Sequence, residues 1–313
     1  MSGLEHWAVT CLFNPQGYRS RIANYRAFRR HLEVPLVAVE LSFDGRFELD
    51  TGDADILVRI DGGDVLWQKE RLLNLGVARL PRECRAVSVL DCDIVFENRD
   101  WSWAALARLE RSPAVQLFSE THFLRRGAGA GFSLEGAELR GSFVRAIRAN
   151  VPAGVPLREC LGAPGGNGRA RHAPGLAWAF RRELLDRHGL FDGCVIGGGD
   201  TAMVCASWGA FDVLEERHAM NASQRSYYRA WAEPWYRSVS GNADFIEGRL
   251  FHMWHGEIAD RRAAMRHLDL VAHDFDPHRD LARDGDGPWR WASPKPELHR
   301  LLADYFAARR EDG

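Results

Sequence analysis

The chain has 313 residues, 46% of them hydrophobic and 27% charged, with 41 Lys+Arg against 43 Asp+Glu for a formal net charge of -2. A balance that near neutrality supplies no bulk field for a polyanion, so nucleic acid and anionic membrane surfaces are not expected partners. No run approaches the roughly 18 uninterrupted apolar residues of a membrane span, and Glu5 and His6 stand where a secretory leader carries basic and then apolar residues, so no transmembrane segment and a cytoplasmic location are expected.

The six cysteines (Cys11, Cys84, Cys92, Cys160, Cys194, Cys205) form no C-x-x-C pair and no disulfide framework, and are expected reduced and mostly buried. Apolar runs then alternate with amphipathic stretches through the first hundred residues, the pattern of an α/β domain with a largely parallel sheet. His6 to Phe13 reads as a first strand, Asn14-Pro-Gln-Gly as a turn, and Ile22, Tyr25, Ala27 and Phe28 as the apolar side of a helix ending near Leu32. Val34 to Leu41 and Ile56 to Ile60 read as strands, followed by a turn at Asp61-Gly-Gly-Asp and a helix with Leu66, Leu73, Val77 and Leu80 on one face. Ala86 to Leu90 is a fourth strand, ending in Asp91-Cys92-Asp93. From Arg125 to Arg171 the chain is rich in Gly, Ala, Arg and Pro, includes Gly165-Gly166-Asn167-Gly168, and reads as mobile loops around one or two short helices. A strand at Leu176 to Phe180, a helix near Arg182 to Arg187, a turn at Gly197-Gly198-Gly199, a helix from Asp200 and a strand from Arg249 to Trp254 follow. The last 45 residues read as a wrapping tail with two basic amphipathic segments.

Four Asp-x-Asp tripeptides occur, at Asp53/Asp55, Asp91/Asp93, Asp274/Asp276 and Asp284/Asp286. Ligands of an open parallel sheet sit beyond the carboxyl ends of its strands, and only Asp91/Asp93 lies directly behind an apolar run. Such a pair can hold one divalent cation and, through it, a nucleotide diphosphate. A pair of turn-forming aspartates explains the tripeptide equally well, so further residues must decide.

Those residues are Asp64-Val65-Leu66-Trp67-Gln68-Lys69-Glu70-Arg71-Leu72-Leu73-Asn74. A helix of this kind before a strand ending in Asp-x-Asp resembles the metal-dependent glycosyltransferases of the GT-A fold, and most nearly the β-1,4-galactosyltransferase group, whose corresponding helix has an aromatic start, a basic middle and a Leu-Leu-Asn end. Gly197-Gly198-Gly199-Asp200 is similar to that group's Gly-Gly-Glu-Asp segment, and His252-Met253-Trp254-His255 to the segment supplying a further metal ligand. The resemblance spans roughly residues 6 to 265 and implies a single GT-A domain: about 1–100 for the nucleotide sugar, about 101–265 for acceptor and catalysis, and 266–313 as a helical tail.

By this resemblance Asp93 is the principal ligand of Mn2+ or Mg2+, Asp91 faces the metal or the ribose, and His255 completes the set. Residues three apart in a strand point to opposite faces, so His252 is expected to pack beside the site instead of joining it. Asp200 is the candidate base, a carboxylate at a helix start behind three glycines; a helix-capping aspartate is the alternative. Gly198 and Gly199 let the backbone approach the donor sugar. Two departures, Ile196 for an aromatic residue and Gly199 for Glu, leave the choice of sugar and acceptor open. Phe13, Asn14 and Arg19 are candidates for the base and ribose, Asp61 likewise, and turn formation also accounts for Asn14 and Asp61. Lys69 and Arg71 reach either the diphosphate or solvent. Trp231 or Trp235 lines an acceptor or packs in the core, and Arg261 is a candidate for the leaving phosphate. The expected activity is transfer of a sugar from a nucleotide-diphosphate sugar, UDP-linked by the resemblance, to a saccharide or other hydroxyl-bearing acceptor with inversion. A retaining transferase, a nucleotidyltransferase on the same fold, and a noncatalytic sugar-nucleotide-binding protein are the alternatives.

Overall fold

The computed structural model describes residues 5–129, 131–160, 172–263 and 265–313. Its strands are β1 (His6–Phe13), β2 (Leu36–Ser42), β3 (Ile56–Asp61), β4 (Ala86–Leu90), β5 (Ile94–Phe96), β6 (Ala114–Gln116), β7 (Glu120–Phe123), β8 (Glu138–Ser142), β9 (His172–Ala173), β10 (Ala177–Arg181), β11 (Ala243–Phe245), β12 (Arg249–His252), β13 (Leu281–Ala282) and β14 (Arg290–Trp291). Its α-helices are α1 (Arg19–His31), α2 (Lys69–Val77), α3 (Trp101–Leu109), α4 (Phe143–Asn150), α5 (Leu157–Cys160), α6 (Arg182–His188), α7 (Gly199–Ser207), α8 (Phe211–Arg217), α9 (Ala222–Val239), α10 (Arg266–Val271), α11 (Pro277–Asp280) and α12 (Pro296–Ala308).

Seven strands form the central sheet in the order β11-β6-β10-β4-β1-β2-β3. Its pairings are parallel except at β10, which runs antiparallel to both neighbours. This is the expected α/β class, a mostly parallel sheet flanked by helices. In β1, Ala8 and Leu12 join one core with Tyr25 and Phe28 of α1, while Val9, Cys11 and Phe13 join the other with Leu72 and Leu73 of α2. Both faces of the strand are covered, which is why its sequence is a continuous apolar run instead of an alternation. The observed β1 and β4 have the predicted bounds. The helix read through Leu66 and Leu80 is shorter, at Lys69–Val77, although both flanking leucines are buried. All six cysteines are buried and free.

A second sheet, β5-β12-β7-β8-β9, stands beyond the end of β4. Of its strands only β12 was predicted, and it ends at His252, two residues early. Within the stretch read as loops, α4 and α5 are the short helices, but β8 is a strand. Its one large apolar side chain, Leu139, is exposed, so β8 is held by pairing with β7 and carries no apolar pattern to read. Residues 165–168 lie outside the described residues.

In the C-terminal segment Leu298, Leu302, Tyr305 and Phe306 of α12 recur at helical spacing and bury against the core. The β13–β14 ribbon covers α2, where the Gln68 side-chain amide donates to the Trp289 carbonyl at 2.8 Å and accepts from its N–H at 2.9 Å. Helix α2 is therefore buried nearly all round. Among the described residues no helix is long and apolar enough to cross a membrane.

Candidate active site

Asp91-Cys92-Asp93 is the link by which β4 of the large sheet passes into β5 of the small one. The antiparallel register of β5 with β12 sets His252 opposite Ile94, and the ladder continues as the Met253 N–H donates to the Asp93 carbonyl at 2.8 Å. His252 is thereby delivered beside Asp93. The chain then leaves the strand, and His255 meets the same corner just before a turn at Gly256 (φ +83°). The expectation that His252 and His255 diverge is thus corrected: it assumed strand as far as Trp254, and the strand stops at His252.

His255 Nε2 lies 3.0 Å from Asp93 Oδ2, His252 Nε2 lies 3.7 Å from Asp93 Oδ1, and the two Nε2 atoms are 3.4 Å apart. All three side chains are buried, and their ligand atoms lie within 4.8 Å of one another. Asp93 Oδ1 has no hydrogen-bond partner. Arg261 Nη2 is 3.0 Å from His255 Nε2; a guanidinium only donates, so this nitrogen carries a lone pair. Glu311 Oε1 lies 3.2 Å from the other ring nitrogen, Nδ1. An unprotonated ring nitrogen 3.0 Å from one oxygen of a buried carboxylate whose other oxygen has no partner, with a second imidazole alongside, fits a bound metal ion. Burial keeps His252 well below the ordinary histidine value, in the neutral form a ligand needs. Two imidazoles and one carboxylate suit Mn2+ better than Mg2+, which prefers oxygen ligands throughout.

Asp91 is not in this group. Its carboxylate meets Lys69 Nζ at 2.7 Å, and the same ammonium lies 3.0 Å from Asp200 Oδ2 and 3.2 Å from Oδ1. Lys69 is buried, which by itself lowers its pKa, and the carboxylates of Asp200 and Asp91 overcome that and hold it well above the ordinary lysine value. Burial pushes Asp91 up to about 6, with Lys69 opposing and Asp200 adding to the rise. The ammonium therefore clamps the two carboxylates. The helix and loop supplying this cluster are fastened together: Asn74 of α2 donates to the Leu190 carbonyl at 2.9 Å and accepts from its N–H at 2.7 Å, and the Trp67 N–H donates to Val195 at 2.8 Å. Asp200, in the first turn of α7, keeps its side chain 32% exposed.

Gly199 has a neighbour that the sequence does not announce. A methyl group there would overlap the Glu70 carboxyl, which is buried and whose Oε1 has no hydrogen-bond partner. Burial raises Glu70 to about 8 against the pull of Lys69. Where the resembling family carries Glu in the loop, this chain has glycine in the loop and a glutamate from α2 reaching toward it.

Lys69, Asp91, Asp93, Asp200, His252 and His255 all line one cleft. Phe13 and Gly198 line it too. Asn14 lies in a smaller adjoining hollow with Trp67 and Phe306, and its side chain closes a local turn on Tyr18 and meets Glu48. Asp61 is exposed at the end of the edge strand β3 and does not line the cleft. Arg19 is exposed, its N–H accepted by Asp312. Arg71 faces neither diphosphate nor solvent: it donates to the Gly287 carbonyl at 2.8 Å and lies over the Trp289 ring. Trp235 is wholly buried, and Trp231 stacks on it with centroids 5.0 Å apart, so both belong to the core. Arg261 lines the cleft, brought down to about 10 by burial and by Arg309.

Sequence reasoning missed Glu70, Arg21, Arg309 and Glu311 as contributors. For Glu70 the signal was available, since a motif that has lost a carboxylate beside a helix with an acidic residue invites the question of replacement. For Arg309 and Glu311 there was none, because charged residues after an amphipathic helix ordinarily face water.

The chain matches no protein-family model and no curated protein. Among solved structures it is similar to the mannosyltransferase PcManGT from Pyrobaculum calidifontis in complex with GDP-Man and Mn2+, with 15% identity and a TM-score of 0.40 over 97% of this chain and 73% of that one. It is also similar to S. aureus TarS, with 11% identity and a TM-score of 0.37 over 97% and 71%. A Drosophila β1,4-galactosyltransferase 7 in complex with manganese, UDP-Gal and xylobiose is similar at 9% identity and a TM-score of 0.33 over 64% and 59%.

Proposed function

We propose that this protein is a metal-dependent glycosyltransferase that moves a sugar from a nucleotide-diphosphate donor, a UDP-sugar by the motif resemblance, to an acceptor hydroxyl with inversion. The observation that carries the reading is the meeting, in one cleft, of a metal-fitting Asp93-His252-His255 corner and a separate Lys69-Asp91-Asp200 cluster. Asp93, His252 and His255 hold the metal. Bound there, Mn2+ supplies the positive charge that a departing nucleoside diphosphate requires. Asp200 takes the proton of the acceptor hydroxyl, and its accessible carboxylate beside a permanently charged ammonium suits a group that must be ionised before the reaction. Lys69 sets the distance between Asp91 and Asp200, leaving Asp91 to face the donor as its neighbour instead of as a ligand of the metal.

Within this reading residues 1–100 hold the nucleotide sugar, residues 101–265 supply acceptor and catalytic groups, and residues 266–313 close the cleft. Phe13 and Gly198 line the donor's place, and Asn14 shapes the turn beside it. The test is a panel of UDP- and GDP-sugars with Mn2+ and no acceptor, following thermal shift and slow donor hydrolysis, with Asp93→Ala as control. Stabilisation and hydrolysis with one donor, dependent on Mn2+ and lost in the variant, are expected. Equal behaviour of wild type and Asp93→Ala would overturn the assignment.

A further inference from the structure

We infer that Glu311, in the segment that follows α12, is a positioning residue for the metal corner. Its carboxylate locks the His255 ring with the proton on Nδ1, leaving Nε2, 3.0 Å from Asp93 Oδ2, unprotonated. The inference rests on the metal-site reading given above and extends it to a part of the chain that no motif touches.

Two independent contacts define the same ring state. On one side of the ring, Arg261 can only donate, so Nε2 accepts. On the other, Glu311 Oε1 lies 3.2 Å from Nδ1. Glu311 is 1% exposed, yet it is held in the ionised form: Arg309 donates through Nε to Oε1 at 2.6 Å, with Nη2 ion-paired to the same oxygen, and Arg21 donates through Nη1 to Oε2 at 3.2 Å. An ionised carboxylate only accepts, so Nδ1 donates to it. A ligating imidazole whose far nitrogen donates to a carboxylate is the arrangement that fixes ring orientation and strengthens the ligand nitrogen.

The segment is held in this place from several directions. Gly256 stands against the Arg309 carbonyl, where an added methyl would come within 2.6 Å of that oxygen. Asp312 accepts the N–H groups of Arg19 and Ser20 at 3.0 and 2.8 Å, at the start of α1. Arg310 pairs with Asp260 at 2.6 Å. The turn that follows His255 and the segment that orients its ring are thus packed against each other. Had Glu311 served only to neutralise Arg21 and Arg309, its contact with Nδ1 would be dispensable.

That difference gives the experiment. Mn2+ affinity is measured by calorimetry for wild type, Glu311→Asp, Glu311→Gln and Asp93→Ala, together with thermal melting and the ring 15N shifts of His255 in the metal-free proteins. Glu311→Asp keeps a negative charge between the two arginines but withdraws it from Nδ1, so it separates positioning from folding. The expected result is roughly 10–100-fold weaker Mn2+ binding in Glu311→Asp and Glu311→Gln, with the His255 shifts moving from the Nδ1–H form toward a mixture, while Glu311→Asp melts near wild type. Wild-type affinity and unchanged ring shifts in Glu311→Asp, with binding abolished in Asp93→Ala, would overturn the role of Glu311 and leave the metal site standing. Binding that Asp93→Ala does not weaken would overturn both.

Discussion

Gly199→Ala should destabilise the wild-type chain and be neutral or stabilising once Glu70 has been removed. Gly199 is the first residue of α7, in a backbone conformation open to any residue, so the substitution carries no backbone strain. Alanine even gains up to about 1 kcal/mol over glycine in a helix, less at the first position. Against that, its methyl overlaps the Glu70 carboxyl and comes within 2.8 Å of Glu70 Cγ. Glu70 is 5% exposed and cannot swing its head into solvent, so relief requires shifts in α2 or α7. Overpacking of this kind costs about 1–3 kcal/mol, which leaves a net loss of about 1–2 kcal/mol. In a Glu70→Ala background the same methyl occupies vacated space, and the sign reverses. Urea unfolding of wild type, both single variants and the double variant closes the cycle, with an expected coupling of about 1–3 kcal/mol. Costs that agree in the two backgrounds within about 0.5 kcal/mol would refute the argument and with it the idea that Glu70 fills the place left by Gly199.

Other outcomes follow from the same geometry. Lys69→Met leaves Asp91 and Asp200 facing each other without a cation and should cost on the order of 3 kcal/mol of stability; Asp91, already pushed up to about 6, then rises further, moving the acid limb of the activity profile to higher pH, and an unmoved limb would show that the ammonium does not govern the pair. His252→Ala should weaken Mn2+ binding at least about tenfold, whereas an unchanged titration would return His252 to a packing role. Glu70 has a folded pKa of about 8 against an ordinary value of 4.5, so between those values the native state holds a proton that the unfolded chain has lost. Stability should therefore be greatest below pH 4.5 as far as this group is concerned, fall as pH rises to 8, and level off above. Urea midpoints of Glu70→Gln across pH 5 to 9 should lack that slope, and an identical slope in the variant would assign it to other groups.

The parts of this molecule that could be read from the chain are those whose side chains report their own environment. In β1 and β4, apolar runs covered on both faces gave correct bounds, and the position of Asp91 and Asp93 directly behind β4 distinguished this tripeptide from the other three. The Leu72-Leu73-Asn74 run of α2 also proved informative, since Asn74 ties the helix to the loop that leads to Asp200. Strand β8 was not legible because pairing with β7 sustains it. The solvated face expected for α2 vanished because the ribbon of β13 and β14, more than two hundred residues later, lies over it.

The site divides along the same line. Local pattern determined that a carboxylate pair ends a parallel strand, that a glycine turn delivers Asp200 to a helix start, and that histidines follow near residue 252, for these depend on residues adjacent in the chain. Tertiary structure alone decided which of those groups stand close enough to share an ion. The register of β5 with β12 and the early end of β12 put His252 beside Asp93, the Lys69 ammonium drew Asp91 toward Asp200, and the segment after α12 brought Glu311 to His255. Such choices depend on distances between residues 22 to 159 positions apart, on which periodicity is silent, and on the low polarity of a buried corner, where one ammonium or guanidinium outweighs local preference.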